Sequence, residues 1–180
     1  MNETNQTDRF APLFAELDRR LAGEAPVRLA IEGGSASGKT TLGKILAERY
    51  DCTVFHMDDF FLRSEQRTAA RFAEPGGNVD RERFLAEVLL PLRRGEKVFY
   101  RRFDCASMQL QNAVETAPKK LVVAEGAYSM HPDLAPYYDL SVFLPISAEK
   151  QRERILKRNA PAHAKQFFDL SLIHISEPTR

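Results

Sequence analysis

The chain has 180 residues, of which 43% are hydrophobic and 28% are charged, and this composition predicts one globular domain with a buried core. Its 26 basic and 25 acidic residues are interleaved and leave a net charge of +1, so no overall field would attract nucleic acid or anionic lipid. No apolar run approaches the roughly 20 residues of a membrane-spanning helix. The two cysteines, Cys52 and Cys105, lie far apart, which predicts a reduced, cytoplasmic protein.

The first predicted elements are a helix, a strand and a second helix. Apolar residues recur at helical spacing from Thr7 to Ala22, and glycine and proline follow that stretch. Residues 27–32 form a short apolar run that is typical of a buried strand. After a Gly/Ser cluster, a helical pattern runs from Thr41 to Tyr50. The chain therefore begins as helix, strand, loop and helix.

The rest of the sequence continues this alternation. Strands are predicted at 53–57, 121–124 and 140–144, and helices are predicted at about 81–93 and 148–159. Strands that are separated by helical crossovers favour a parallel sheet with helices on both faces. The predicted fold class is therefore a doubly wound α/β domain with three layers, α/β/α.

The most specific motif is a Gly/Ser-rich loop between the predicted strand at 27–32 and the helix after it. It fits the pattern G-x-x-x-x-G-K-[ST] with Gly33, Gly34, Ser35, Ala36, Ser37, Gly38, Lys39 and Thr40. Such a loop directs backbone N–H groups at the phosphates of a nucleotide, and the helix N-terminus adds partial positive charge. Lys39 is expected to contact the β- and γ-phosphates of ATP and Thr40 to hold Mg²⁺, with Thr41 beside them. The alternative is a turn that only connects two elements.

Acidic residues follow two of the predicted strands. Glu125 comes directly after the strand at 121–124 and is the candidate metal ligand beside Thr40. Asp58 and Asp59 lie at the end of the strand at 53–57, where a carboxylate can take the proton of a hydroxyl group that accepts a phosphoryl group. These acids should meet at the carboxyl edge of the sheet. The alternatives are a solvated acid for Glu125 and turn caps for the aspartates.

Five motifs resemble those of the uridine kinase-like branch of the P-loop kinases, and they occur in the order GGSASGKT, HMDDFF, PGGNVD, YRRFDC and EGAYSMHP. The resemblance covers most of residues 27–158 and implies a P-loop NTPase fold. It also implies transfer of a phosphoryl group from ATP, with Mg²⁺, to a hydroxyl of a small molecule, such as uridine or, in relatives, pantothenate or ribulose phosphate. Members of this family often self-associate, so a homo-oligomer is among the expected partners, whereas nucleic acid and membranes are not.

The resemblance implies roles for three acids. Asp58 matches the catalytic base of the family, Glu125 matches the metal-associated acid, and Asp80 matches an acid that holds the ribose hydroxyls. Capping of the helix at 81–93 is the alternative for Asp80, because Asp is favoured at the residue before a helix.

Further residues on the acceptor side are expected to contact the substrate. They are Phe60, Arg102 and Phe103, and an ordinary surface charge is the alternative for Arg102. In uridine kinases a tyrosine and a histidine recognise the pyrimidine, and here Phe103 and Met108 stand at those positions. The sequence therefore leaves the acceptor open between a nucleoside and another alcohol.

A basic helix after the last predicted strand resembles the lid of such kinases. Within residues 148–159, Arg154 and Arg158 are the residues expected to stabilise the charge of the transferring phosphoryl group. A solvated basic face is the alternative.

Three segments are predicted along the chain. Residues 1–26 form an N-terminal helix and linker, residues 27–169 form the kinase domain, and residues 170–180 form a tail. The tail resembles translated adaptor sequence, which predicts that it is non-native and that the domain is truncated, and an edge strand is the alternative.

A nucleotide-dependent switch or regulatory ATPase is the competing class of function, because a phosphate-binding loop serves both.

Overall fold

The computed structural model describes residues 8–158 as an α/β fold. The strands in chain order are β1 (Val27–Glu32), β2 (Cys52–His56), β3 (Val98–Asp104), β4 (Gln109–Thr116), β5 (Leu121–Glu125) and β6 (Leu140–Phe143). The helices are α1 (Ala11–Leu21), α2 (Lys39–Arg49), α3 (Ala69–Ala73), α4 (residues 81–93) and α5 (Ala148–Arg158). Helix α4 is α-helical over Arg81–Phe84, π-helical over Leu85–Leu89 and α-helical again over Leu90–Arg93. Short 3₁₀ turns cover Met57–Phe60, Ser64–Gln66 and Ala135–Tyr137.

The central sheet has four parallel strands in the order β2-β5-β1-β6. This arrangement confirms the prediction of a doubly wound α/β fold, because the connections between neighbouring strands pass through helices. Strands β3 and β4 form a separate antiparallel hairpin, which the sequence analysis did not predict. The strands and helices predicted from residue 27 onward agree with the observed elements to within two residues, whereas the first helix, predicted from Thr7, begins at Ala11, and the short helix α3 was not predicted.

Two hydrophobic cores cover the two faces of the sheet. On one face, Leu121 and Val123 of β5 pack with residues of α1 and α2. On the other face, Val122 and Ala124 pack with residues of α4 and of the β3–β4 hairpin. Every residue of β5 is buried, as expected for the centre of a parallel sheet that is covered on both sides. The last residue of β5, Glu125, is therefore buried at the carboxyl edge of the sheet.

Some predictions fall on residues that the structure does not describe. They concern the first residues of the N-terminal helix, the end of the kinase domain at residues 159–169 and the tail at 170–180. Among the described residues, no helix is long and apolar enough to cross a bilayer.

Gly126, directly after β5, allows the end of the central strand to approach the turn that follows β2. Its φ is +148°, and a Cβ at this position would lie 2.5 Å from the Cβ of Met57. Its N–H donates a hydrogen bond of 3.1 Å to the carbonyl of Ile31, so the backbone has little room to move. A side chain at residue 126 would therefore push apart β5 and the segment that begins with Met57.

We expect Gly126→Ala to lower the free energy of unfolding by about 2 kcal/mol more than Gly95→Ala does, because it adds overpacking to backbone strain. Gly95 is the matched control, since its φ is +72° but a Cβ there would meet no atom within 4 Å. Urea unfolding of both variants measures the difference. Equal losses would show that residue 126 has room for a methyl group.

Candidate active site

The loop between β1 and α2 is folded tightly against the end of β6. A Cβ on Gly33 would lie 2.4 Å from the carbonyl oxygen of Leu144, so only glycine fits. Gly38 and Ala36 both have positive φ, at 106° and 60°, which curls the backbone before α2 begins at Lys39. The hydroxyl of Ser37 is buried and has no partner among the described residues. A curled loop with an unsatisfied buried hydroxyl fits the phosphate oxygens of a nucleotide.

The side chain of Lys39 lies across this loop. Its Nζ donates hydrogen bonds to the carbonyl oxygens of Gly33, at 2.8 Å, and Gly34, at 2.9 Å. The ammonium group is therefore held at the mouth of the loop, where the phosphates of a nucleotide would carry negative charge. The contact of Lys39 with the β- and γ-phosphates stays a prediction.

Glu125 joins three elements at the carboxyl edge of the sheet. Its Oε1 accepts a hydrogen bond of 3.0 Å from the hydroxyl of Thr40 on α2 and lies 2.6 Å from Nδ1 of His56 on β2. Glu125 is only 5% exposed, and the parallel register sets His56 beside it. The hydrogen bond to Glu125 raises the pKa of His56, while partial burial of the ring opposes this. Thr40 and Glu125 thus lie close together, as the sequence analysis expected.

This oxygen pair fits Mg²⁺, because that ion prefers oxygen ligands and keeps much of its coordination shell for water and phosphate. Within residues 8–158 no group of three His, Cys, Asp or Glu side chains forms a metal site of its own. The protein would therefore supply the Thr40 hydroxyl and the Glu125 carboxylate, and the other ligands would come from the nucleotide and solvent.

The two aspartates of the Met57–Phe60 turn have different surroundings. Asp58 is accessible to solvent, yet the protein atoms around it and the nearby carboxylate of Glu125 raise its pKa, against the opposing charge of Lys39. Asp59 has a pKa that is also raised by burial, and its Oδ2 lies 3.4 Å from Nε of Arg102. Asp58 therefore lies in the field of both Lys39 and Glu125, whereas Asp59 pairs with the hairpin.

Helix α5 contacts the outer side of the phosphate-binding loop. Arg154 donates a hydrogen bond of 2.9 Å from Nη1 to the carbonyl of Ala36, and Gln151 donates one of 3.2 Å from Nε2 to the carbonyl of Ser35. The predicted lid helix therefore already touches the loop. The side chain of Arg158 lies outside the described residues.

Comparisons with known proteins agree with this geometry. A sequence model of the family described as Shikimate kinase matches residues 35–89, less than half of the chain. The structure of a possible uridine kinase from Bacillus stearothermophilus is 20% identical and has a TM-score of 0.60 over 87% of this chain and 94% of that chain. The structure of a putative fructose transport system kinase from Silicibacter sp. TM1040 is 24% identical, with a TM-score of 0.70 over 89% of this chain and 88% of that chain. The chain has the P-loop kinase fold. No curated protein is similar enough in sequence to count as a match.

The residues that were predicted to bind phosphate and metal lie together in this structure. The residues that were predicted to contact the acceptor do not form one surface, because some of them are buried and others are exposed. Phe60 is 0% exposed and packs in the core against Phe84, with ring centroids 4.8 Å apart. Phe103 is 6% exposed and lies under the side chain of Arg67. Neither ring lines an open surface in this structure, so their contact with a substrate stays a prediction.

The other two predicted acceptor residues differ in exposure. Arg102 is exposed and donates hydrogen bonds of 3.3 and 3.1 Å to the hydroxyl of Tyr100. Asp80 is 1% exposed and caps α4, where its Oδ1 accepts a hydrogen bond of 3.1 Å from the N–H of Arg83. The capping alternative for Asp80 is thus observed, and its role toward a substrate stays a prediction.

Three residues of the site were missed as functional candidates. His56 was predicted only as a strand residue. Its position near two acids at the end of a strand could have indicated a site residue. Glu32 accepts a hydrogen bond of 2.6 Å from the N–H of Met130, and burial raises its pKa against the opposing charge of Lys39. Arg83 gave no signal, because it lies in a helix that is rich in charged residues.

We expect Lys39→Ala to weaken the binding of Mg·ATP at least roughly tenfold, because the variant loses a charge-assisted contact with the phosphates. Lys44→Ala is the matched control, since Lys44 lies exposed on the same helix. Calorimetric titration with a slowly hydrolysed ATP analogue gives both affinities. Unchanged affinity in Lys39→Ala would remove the assigned role of this lysine.

Proposed function

We propose that this protein is an ATP-dependent kinase that transfers the γ-phosphoryl group of ATP to a hydroxyl group of a small molecule. The observation that carries the proposal is the position of Asp58 in the turn directly after β2, whose neighbouring strand β5 ends in Glu125 beside Thr40 and the phosphate-binding loop. A carboxylate beside the phosphate-binding residues, but outside the metal-binding pair, has the position of a base that serves an incoming hydroxyl group.

Each residue has a defined task in this reaction. Lys39 neutralises negative charge on the phosphoryl group, and Thr40 with Glu125 would hold Mg²⁺, which supplies electrostatic stabilisation of the transferring group. Asp58 accepts the proton of the acceptor hydroxyl as that oxygen forms its bond to the γ-phosphorus. The bond between the γ-phosphorus and the β–γ bridging oxygen breaks, and ADP leaves. Arg154 steadies the loop from outside through Ala36.

A nucleoside of the uridine type is our first candidate acceptor, because the five sequence motifs resemble the uridine kinase-like branch and a possible uridine kinase shares the fold. A sugar is also a candidate, since the similar structure with a TM-score of 0.70 is a putative fructose transport system kinase. Pantothenate is a third candidate, because relatives of the uridine kinase-like branch phosphorylate it. All three present an alcohol to the same base.

A switch or regulatory ATPase is the competing function. It would use the phosphate-binding loop equally but would need no base for an acceptor hydroxyl. The position of Asp58 in the turn directly after β2, beside the strand that carries Glu125, favours the kinase, because it places a carboxylate where an acceptor hydroxyl would lose its proton.

The decisive assay measures ATP consumption with Mg²⁺ against uridine, fructose and pantothenate. We expect one of these compounds to stimulate consumption. Asp58→Asn should lower that stimulated rate by roughly a hundredfold, because general-base catalysis contributes 10²–10⁴-fold. Asp51→Asn, at an exposed aspartate before β2, should not. Acceptor-independent ATP hydrolysis that is equal in all three proteins would contradict the proposal.

The pH dependence follows from the direction of the Asp58 shift. A base must be ionised, so kcat/KM should fall as the pH drops through the pKa of Asp58, which lies above the usual aspartate value of 3.8. The raised pKa also means that ionised Asp58 destabilises the folded state. Asp58→Asn should therefore be more stable than the parent at about pH 7. This gap in the free energy of unfolding should close as the pH falls through the pKa of Asp58 in the folded state toward 3.8. Unfolding of both proteins as a function of pH measures this gap, and a gap that is constant with pH would contradict it.

A further inference from the structure

The strongest unexplained feature near the site is a buried ion pair at the start of α4. The side chains of Asp80 and Arg83 are 1% and 5% exposed, and Nε of Arg83 lies 3.2 Å from Oδ2 of Asp80. The other carboxylate oxygen of Asp80 accepts the backbone N–H of Arg83. Both carboxylate oxygens of Asp80 therefore accept hydrogen bonds from Arg83.

The remaining N–H groups of Arg83 reach two other segments. Nη1 donates to the carbonyl of Arg101 on β3, and Nη2 donates to the carbonyls of Asp59, at 3.2 Å, and Phe61, at 3.4 Å. The guanidinium also lies 4.6 Å from the ring centroid of Phe60. Thus one buried cation binds the backbone on both sides of Phe60, in the turn that carries Asp58.

Backbone hydrogen bonds link the same segments. Asp80 donates its own N–H to the carbonyl of Phe60 at 2.7 Å, and Leu62 donates its N–H to the carbonyl of Asn78 at 3.2 Å. The turn after β2 is therefore fixed to residues 78–83 by main chain and side chain together. A buried ion pair of this kind contributes little net stability, because desolvation offsets the attraction between the charges. Its clear structural effect is the geometry of the turn.

We propose that Asp80 and Arg83 are positioning residues that hold the Met57–Phe60 turn, and with it Asp58, at the carboxyl edge of the sheet beside the phosphate-binding loop. Asp80 does not contact the acceptor. The part of this inference that concerns Asp58 rests on the proposed kinase function. It replaces the role in binding ribose hydroxyls that the family resemblance implied for Asp80, and it adds Arg83, for which no role was predicted.

Asp80→Asn and Arg83→Lys test the inference. The first keeps the size of the side chain but loses its charge and one acceptor oxygen, and the second keeps the charge but loses the planar fork of donors. Arg94→Lys is the matched control, because Arg94 forms an exposed ion pair with Glu96 at 2.7 Å on the other end of α4. Hydrogen–deuterium exchange of residues 57–61 reports on the turn without any acceptor. Steady-state kinetics with the acceptor found in the assay above reports on Asp58.

We expect both variants to exchange faster than the parent at residues 57–61, with unchanged exchange in β1. We also expect kcat to fall by roughly tenfold to a hundredfold, while the KM for the acceptor stays within about twofold, because a displaced base impairs the chemical step more than binding. Arg94→Lys should match the parent in both measurements.

Two results would overturn the inference. Unchanged exchange at residues 57–61 in both variants would show that the pair does not hold the turn. A raised acceptor KM with unchanged kcat in Asp80→Asn would show that Asp80 binds the acceptor. If Arg83→Lys does not fold, Asp80→Asn alone decides between these outcomes. If no acceptor stimulates the parent protein, the proposed function fails separately, and the exchange data still decide whether the pair holds the turn.

Discussion

The active site depends on one buried carboxylate at the end of the central strand. Burial of a carboxylate costs several kcal/mol unless hydrogen bonds or opposite charges offset the lost hydration. Glu125 meets this constraint through a single oxygen, which lies 3.0 Å from the Thr40 hydroxyl and 2.6 Å from Nδ1 of His56. The interaction fixes the start of α2 and the end of β2 relative to β5. The phosphate-binding loop and the acidic turn are the direct continuations of those two elements.

The same carboxylate sets the electrostatics of the site. The protein atoms around Asp58 and, after them, the negative charge on Glu125 raise the pKa of Asp58, and the ammonium of Lys39 opposes this. In the proposed reaction, the field that would favour a divalent cation beside Thr40 would also raise the proton affinity of the base. In that reaction, metal binding and proton acceptance would both depend on Glu125, Asp58 and Lys39.

The sequence predicted the parts of this arrangement whose signals are local. Apolar runs marked β1, β2, β5 and β6, and the glycine pattern marked the phosphate-binding loop, because these features reflect burial and backbone geometry over a few residues. Since parallel strands end at one edge, the sequence also predicts that Glu125 and Asp58 lie near Thr40.

The missed features depend on contacts between distant segments. The hairpin was not predicted because the alternation of buried and exposed residues in β3 breaks at the irregularity between Arg101 and Phe103, and because β4 has no fully buried residue. Likewise, HMDDFF gives no indication that Phe60 lies in the core while Asp58 faces solvent. The contacts of this turn come from Arg83, which binds the carbonyl of Asp59, and from Phe84, which packs on Phe60, and both lie more than twenty residues away along the chain.

The measurement that tests the kinase account most directly is the fate of the γ-phosphoryl group in ¹⁸O-labelled water. The purified chain, Mg·ATP and the stimulating acceptor would be incubated in this solvent, and the products would be analysed by mass spectrometry. Our account predicts a phosphorylated acceptor that contains no oxygen from the solvent. Inorganic phosphate that carries one solvent oxygen, formed at the same rate with and without the acceptor, would contradict the account and identify the protein as a nucleotide hydrolase.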